Sequence, residues 1–349
     1  VFVDSAYLAI DAIEHHYAGT AVLHGVTLHA GRGEILCLLG RSGCGKTTLL
    51  RLIAGLERPS AGSIALSGTQ LTSAAAFLPP EKRGIGFMFQ DYALFPHLTV
   101  LENTTFGLKK NDAQGIVTAK ALLAKVGLET HADRYPHTLS AGEQQRAALV
   151  RALAPRPAIL LMDEPFSNLD ARTRDGVRDM TLTLLRETQT PAIIVTHDPS
   201  EAMRIGDRIA LMQAGRLVQV GAPEEIYRRP TSLYAARYFS DLNEFEATCR
   251  NGRVTTPFGD FPAPELNEGP AIVGVRPHDM SVMSTGAGLQ ARVTAVAYLG
   301  DSTQITLQTD ALTTPLKAIL KGAPHFTPGQ DVRIACAPED VLFFPNDSK

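Results

Sequence analysis

Residues 34–54 read Glu-Ile-Leu-Cys-Leu-Leu-Gly-Arg-Ser-Gly-Cys-Gly-Lys-Thr-Thr-Leu-Leu-Arg-Leu-Ile-Ala. The apolar run at 34–39 is too short for a helix of its own and reads as a strand buried on both faces. Gly40-Arg41-Ser42-Gly43-Cys44-Gly45-Lys46-Thr47 fills the pattern G-x-x-x-x-G-K-[ST], and Thr48 to Ala54 continue as a helix. Strand, glycine-rich loop and helix in that order form a phosphate cradle. The glycines let backbone N–H groups turn inward, and the helix presents its positive end. Ser42, Gly43, Cys44, Gly45, Lys46, Thr47 and Thr48 are thus the expected nucleotide contacts. Lys46 should reach the β- and γ-phosphates, and the Thr47 hydroxyl should bind Mg²⁺. A glycine-rich turn with a stray lysine is the competing reading, and the strand-loop-helix setting decides against it.

Further along, the apolar run 158–162 ends in Asp163-Glu164. A buried strand delivering an acid at its carboxyl end suits a metal-binding carboxylate, here Asp163. Successive side chains of a strand diverge, which predicts that Glu164 points at an attacking water while Asp163 serves the metal. That division of labour fits hydrolysis. A third run, 192–195, is β-branched enough for a strand, and His197 follows it. On spacing alone His197 caps a strand near solvent. Residues 171–189 predict a surface helix, and 209–212 with 217–220 predict a hairpin around Gln213-Ala214-Gly215-Arg216.

This alternation makes residues 1–240 an α/β domain with a largely parallel core. Beyond Phe239 the texture changes to short alternating runs such as 293–298 and 304–307, broken by Asn251-Gly252, Pro257-Phe258-Gly259 and Leu299-Gly300-Asp301. Residues 241–349 therefore predict a small all-β barrel-like domain.

Bulk properties narrow the class. A net charge of -3 gives no reason to expect nucleic acid, which selects a basic face. Cys37, Cys44, Cys249 and Cys336 lack CxxC spacing and read as reduced thiols rather than a disulfide or zinc framework. No apolar run approaches the ~18 residues of a membrane span. The opening Val-Phe-Val-Asp-Ser-Ala-Tyr-Leu-Ala-Ile-Asp lacks the basic-then-apolar order of a signal peptide, so a cytosolic location is expected.

Leu139-Ser140-Ala141-Gly142-Glu143-Gln144-Gln145-Arg146 lies between the cradle and Asp163. It resembles the LSGGQ signature of ATP-binding-cassette (ABC) ATPases, and the other motifs fall into that family's order from residue 5 to about 240. The resemblance implies an ABC ATPase domain with a helical subdomain. It implies that Tyr17 stacks on adenine, that Gln90 is the Q-loop glutamine reaching Mg²⁺ and the reaction centre, and that 167–170 is the D-loop. His197 becomes the switch histidine, reversing the plain reading above. Glu164, His197, Lys46 and Gln90 are the implied catalytic set; Thr47, Gln90 and Asp163 the Mg²⁺ set. Ser140, Ala141, Gly142 and Glu143 would face the ATP held by the opposite subunit of a homodimer. Ala141 and Glu143 depart from the usual Gly and Gln, which predicts slower turnover.

The run Gln90-Asp91-Tyr92-Ala93-Leu94-Phe95-Pro96-His97-Leu98-Thr99-Val100-Leu101-Glu102-Asn103 resembles that of importer ATPases for maltose, polyamines, sulfate and ferric iron. There it meets a membrane permease subunit, which makes Tyr92, Leu94, Phe95 and Leu98 docking candidates wherever they are exposed; as core residues they would do none of this. Gly274-Val275-Arg276-Pro277-His278-Asp279 and Tyr298-Leu299-Gly300-Asp301 resemble elements of the regulatory TOBE/OB-type β-domain, with His278 in place of the usual Glu. The resemblance thus implies an importer served indirectly by a solute-binding protein, at the cytoplasmic face of a bacterial inner membrane. Ferric-iron importers are the most similar in texture; polyamine, sulfate/thiosulfate, phosphonate and sugar uptake are the alternatives. A soluble ABC ATPase of another class would carry two cassettes or a coiled-coil insertion, and this chain shows one cassette and no heptads.

Overall fold

The runs at 34–39, 158–162 and 192–195 become three adjacent strands of one sheet in the computed structural model, which describes residues 7–110, 112–322 and 326–346. The Val1 to Ala6 part of the stretch read against a signal peptide lies outside the described residues. The strands of the first unit are β1 (Leu8–Tyr17), β2 (Thr20–Ala30), β3 (Ile35–Gly40), β4 (Ala61–Leu66) and β5 (Thr69–Thr72). They continue with β6 (Ile85–Met88), β7 (Ile159–Asp163), β8 (Ala192–Thr196), β9 (Arg208–Gln213) and β10 (Arg216–Gly221). The central sheet runs β10-β9-β3-β8-β7-β6, parallel throughout except for the antiparallel edge hairpin β9–β10. A second, antiparallel sheet runs β2-β1-β4-β5.

Between the two sheets lies the core. Helix α1 (Lys46–Ala54) buries Leu49, Leu50, Leu52 and Ile53 in one cluster with Leu8 and Ile10 of β1, Leu36 and Leu38 of β3, and Ile193 and Val195 of β8. The alternate residues Cys37 and Leu39 are equally buried on the other face of β3, as a sheet covered on both sides demands. At roughly 1.5–3 kcal/mol for each fully buried large aliphatic side chain, this layer sets the register of β3 and so places the loop that follows it.

Strands β6 and β7 are neighbours, yet 70 residues separate them in the chain (89–158), and these include α2 (Val100–Thr105), α3 (Ala113–Lys125) and α4 (Ala141–Leu153). This insertion is the helical subdomain. After β7 come α5 (Ala171–Thr188), α6 (Pro199–Ile205), α7 (Pro223–Arg228) and α8 (Leu233–Phe239). No helix of the described residues is long and apolar enough to cross a membrane.

By internal contacts the chain divides into Val1–Thr231 and Ser232–Lys349. The second unit holds two five-stranded antiparallel sheets. One orders β13 (Gly259–Pro262), β12 (Arg253–Thr256), β11 (Asn243–Arg250), β14 (Gly269–Val275) and β20 (Val341–Pro345). The other orders β15 (Met280–Met283), β19 (Asp331–Cys336), β16 (Leu289–Tyr298), β17 (Ser302–Gln308) and β18 (Leu316–Lys321), with β15 and β18 approaching to make a nearly closed barrel. Strict alternation in β17 sends Thr303, Ile305 and Leu307 inward, onto Val273, Val293 and Ile334 for the two apolar ones. Arg276 is buried and donates through Nε to Ser240 Oγ at 3.0 Å, while the Asn243 side chain brackets the Lys317 peptide at 2.7 and 2.8 Å. The fold is thus an α/β P-loop domain with a helical subdomain, followed by a small barrel-like β domain.

Candidate functional site

β3 ends at Gly40 and α1 begins at Lys46. Gly45 caps the helix at φ 103°, and a Cβ there would come within 2.6 Å of Leu23 Cδ2. Glycine alone fits that turn. No side chain caps α1, and its first turn carries no acid. Its first amide N–H groups are therefore left for an anion, and the helix dipole favours one. Lys46 is buried, its ammonium donating to the carbonyls of Gly40 at 2.7 Å and Arg41 at 3.1 Å. Cys44 is buried inside the loop, where desolvation pushes its thiol pKa up.

At the mouth of the loop the Thr47 hydroxyl donates to Asp163 Oδ1 at 3.1 Å. Asp163 closes β7 and is buried, so desolvation raises its pKa; Thr47 works against that rise and the neighbouring Glu164 adds to it. Two oxygen donors side by side, one of them a carboxylate that burial penalises, suit a hard dication such as Mg²⁺. The residues present fit the ion.

Glu164 is aimed by a different device from the one its neighbour suggests. The strand stops at Asp163, and Glu164 sits in the left-handed region at φ 45°. Pleat alternation does not separate the two acids; a strained turn does, held by Glu164 N–H donating to Val195 O at 3.1 Å and Ser167 Oγ donating to Glu164 O at 3.0 Å. Non-glycine residues in this region concentrate at functional sites. The turn brings Glu164 Oε2 to 3.1 Å from His197 Nδ1, at the carboxyl ends of the adjacent strands β7 and β8.

Tyr17 ends β1 with two-fifths of its surface exposed. Its hydroxyl donates to Glu57, and its ring meets His15 edge-on at a centroid distance of 4.7 Å. Burial raises its pKa first, with Glu57 adding to the rise and Thr48 of the cradle helix opposing it. An aromatic face thus stands beside the α1 end of the cradle. Glu57 also meets His15 at 3.3 Å and Arg51 at 3.4 Å, and so organises this corner. Sequence reading missed Glu57: a lone acid after a helix carries no pattern.

Ser140 caps α4 in a full capping box. Glu143 Oε2 accepts from Ser140 N–H and from Ser140 Oγ, both at 2.7 Å, and the Glu143 N–H donates back to Oγ at 3.4 Å. These bonds hold the Glu143 pKa below the usual range, and His131 stands 3.4 Å from its other oxygen. Gly142 packs so closely on α5 that a Cβ would come within 2.8 Å of Thr173 Cγ2. Among the described residues no hydrogen bond joins 140–143 to the cradle of the same chain.

Gln90 follows β6, the neighbour of β7, and is exposed; its backbone carbonyl accepts from Asn168 Nδ2 at 2.9 Å, while its side chain does not join the Thr47–Asp163 pair. One docking candidate is corrected. Tyr92 is buried, with φ 61° and a hydroxyl that finds no hydrogen-bond partner, so it is not on the surface. Leu94, Phe95 and Leu98 are half-buried. Arg151 of α4 donates to the carbonyls of Tyr92 at 2.8 Å and Ala93 at 2.6 Å, and buried Asn103 of α2 bonds Phe95, Leu98 and Thr99. Phe106, strongly exposed, lies 4.4 Å from the Phe95 ring and extends the surface. Asn103 closes the importer-type run that the sequence showed, whereas Arg151 belonged to no motif that sequence reading recognised.

Comparison with known proteins supplies the context. The family described as ABC transporter matches residues 23–167, and the TOBE domain family matches residues 273–344. The sulfate/thiosulfate import ATP-binding protein CysA 2 of Chromobacterium violaceum is 42% identical over 317 residues, covering 88% of this chain and 86% of that protein. The Fe(3+) ions import ATP-binding protein FbpC 2 of Rhodococcus jostii is 39% identical over 342 residues, covering 96% and 98%. Among solved structures, cbiO1 from Clostridium perfringens, part of the ABC transporter complex cbiONQ, superposes with a TM-score of 0.59 at 28% identity, over 64% of this chain and 91% of that one.

Proposed function

The chain belongs to the ABC transporter family as an import ATP-binding subunit, an ATPase that works with membrane permease subunits, and from that premise we propose that it acts as a homodimer energising ferric-iron import. In each half, ATP lies on Ser42 to Thr48 with its adenine on Tyr17, and the Ser140–Glu143 turn of the partner closes over the γ-phosphate. Thr47 and Asp163, with Gln90, would hold Mg²⁺, which would neutralise charge on the phosphate oxygens. Glu164 accepts the proton of a water whose oxygen bonds to the γ-phosphorus as the bond to ADP breaks. His197 orients Glu164 and faces the same phosphate. The observation that carries this reading is the Glu164–His197 contact, set by a left-handed turn directly after Asp163.

Leu94, Phe95 and Leu98 form the permease surface, at the cytoplasmic face of the inner membrane, and a solute-binding protein delivers cargo on the other side. The functional domains are taken as 1–240 and 241–349; α8 is where this division differs from the contact-based one. Ferric iron is favoured because the iron-import relative spans nearly the whole chain, β domain included. Sulfate/thiosulfate is the second reading, favoured by the higher identity to CysA 2 over a shorter span.

Cells carrying wild type or Glu164→Gln would be assayed for uptake of labelled ferric iron and labelled sulfate. Loss of iron uptake alone in the variant is expected. Loss of sulfate uptake alone would move the cargo to the second reading. Both uptakes intact, with ATP hydrolysis lost in the purified variant, would remove both cargoes.

A further inference from the structure

A cleft of about 830 Å³ opens in the first unit, between α3 and the leading ends of the parallel strands. The nucleotide site lies at the trailing ends of those strands, roughly 20 Å away along the six residues of β3. α4 spans the same gap: Leu153, its last residue, lines the cleft, and Ser140 caps its other end. The cleft is therefore separate from the catalytic groups, yet touches the far end of two elements that carry them.

Its lining is one-sided in charge. Among the described residues Arg32, Lys125 and Arg156 contribute three cations, and no carboxylate lines the space. Lys125 is paired with Glu187. Neither Arg32 nor Arg156 has a carboxylate partner among the described residues; Arg32 stacks over the Tyr7 ring at 5.2 Å, and Arg156 donates to Thr118 Oγ1 at 2.9 Å. Two guanidinium groups without counter-charge at one cleft attract an anion, and their planar forks suit a carboxylate or phosphate. The lining also carries apolar side chains: exposed Val117 with Leu122, Pro157 and Pro191. Arg156 and Gln189 both occupy left-handed backbone, φ 55° and 53°; Gln189 does so as the C-cap of α5, where that conformation is common. The volume is in the range of about 300–1,000 Å³ typical of small-molecule sites.

We propose that this cleft binds a small amphiphilic anion, a carboxylate or phosphate on an apolar body, which bridges α3 to the strand ends and so tunes ATP turnover. The guanidinium groups of Arg32 and Arg156 take the anionic head, and the apolar side chains of Val117 and Pro157 take the body. A bound molecule braces the helical insertion against the sheet, and α4 transmits that brace to the Ser140 turn.

The test titrates the full-length protein with 2-naphthoate and, for comparison, its uncharged amide, by calorimetry. One naphthoate per chain is expected, at least tenfold tighter than the amide and not displaced by saturating ATP. The double variant Arg32→Gln/Arg156→Gly should weaken naphthoate at least tenfold and leave the amide unchanged; glycine at 156 suits the left-handed backbone. Gln114→Glu, in the first turn of α3 where an acid favours the helix, puts a carboxylate into the cleft and should also weaken naphthoate. Saturating naphthoate should change wild-type ATP turnover at least twofold and the double variant's not at all. Equal affinity for acid and amide, unaltered binding in both variants, displacement by ATP, absence of saturable binding, or unchanged wild-type turnover would each overturn the proposal.

Discussion

The strand-borne half of the nucleotide site and the 89–158 insertion place their polar groups by different means. In the first, Lys46, Thr47, Asp163, Glu164 and His197 sit at the ends of strands whose register is locked by residues buried on both faces. Each of these side chains ends its strand, follows it directly, or starts the helix after it. In the insertion, the 90–103 segment winds through two consecutive left-handed residues, Tyr92 and Ala93, and keeps its shape because Arg151 of α4 bonds its carbonyls from elsewhere in the chain and Asn103 bonds them from the segment's own end. The first arrangement is local and rigid. The second depends on side-chain hydrogen bonds to its carbonyls, which suits the permease contact proposed for it.

Glu164→Gln should test the rigid half most sharply. It keeps the turn but removes the proposed base, so ATP turnover should fall by about 10²–10⁴-fold while ATP affinity and melting temperature hold. Weaker binding in parallel with the lost rate would mean that the turn itself had collapsed. The complementary change, Arg151→Ala, should cost about 1.5–3 kcal/mol by removing charged hydrogen bonds to two carbonyls. Hydrogen exchange should then quicken in the 90–103 segment and stay unchanged in β3 and β7. Uniform quickening would erase the distinction between the two regions.

A pH series probes Asp163. Burial raises its pKa above that of the unfolded chain, so its contribution favours folding at acid pH and is lost as pH rises through the raised value. Without nucleotide, Asp163→Asn should therefore gain thermal stability on wild type between pH 5 and pH 8, and the gain should shrink toward pH ~4. A gap that widens on acidification would contradict the burial argument. The smallest effect is expected for Glu143→Gln, since glutamine can keep the capping box while the charge beside Ser140 disappears. ATP turnover should rise a few-fold with little change in melting; unchanged turnover, in that variant and in Ala141→Gly, would remove the idea that these departures slow the enzyme.

Much of the site was legible because its chemistry needs residue types at fixed short spacings. Gly40 to Thr47 and Asp163-Glu164 are recognisable wherever a buried strand precedes them, and the run 192–195 pointed to the strand that delivers His197. The barrel-like β domain was equally readable, from alternation of the kind that sends Ile305 and Leu307 into its core. Glu57, Arg151 and His131 were not, since each acts on a partner far along the chain: Glu57 on Tyr17, Arg151 on Tyr92 and Ala93, and His131 on Glu143.

By itself, then, the sequence determined the buried strands at 34–39, 158–162 and 192–195, the glycine-rich loop that joins the first of them to a helix, and the acids that follow the second, because periodicity and short-range steric rules act within a few residues. Only the tertiary structure decided that Glu164 is aimed by a left-handed turn rather than by the pleat, that Tyr92 is buried while Phe106 is exposed, and that His131 stands beside Glu143. The physical reason is that burial and hydrogen-bond partnership depend on what the rest of the chain brings alongside, and no local pattern encodes that.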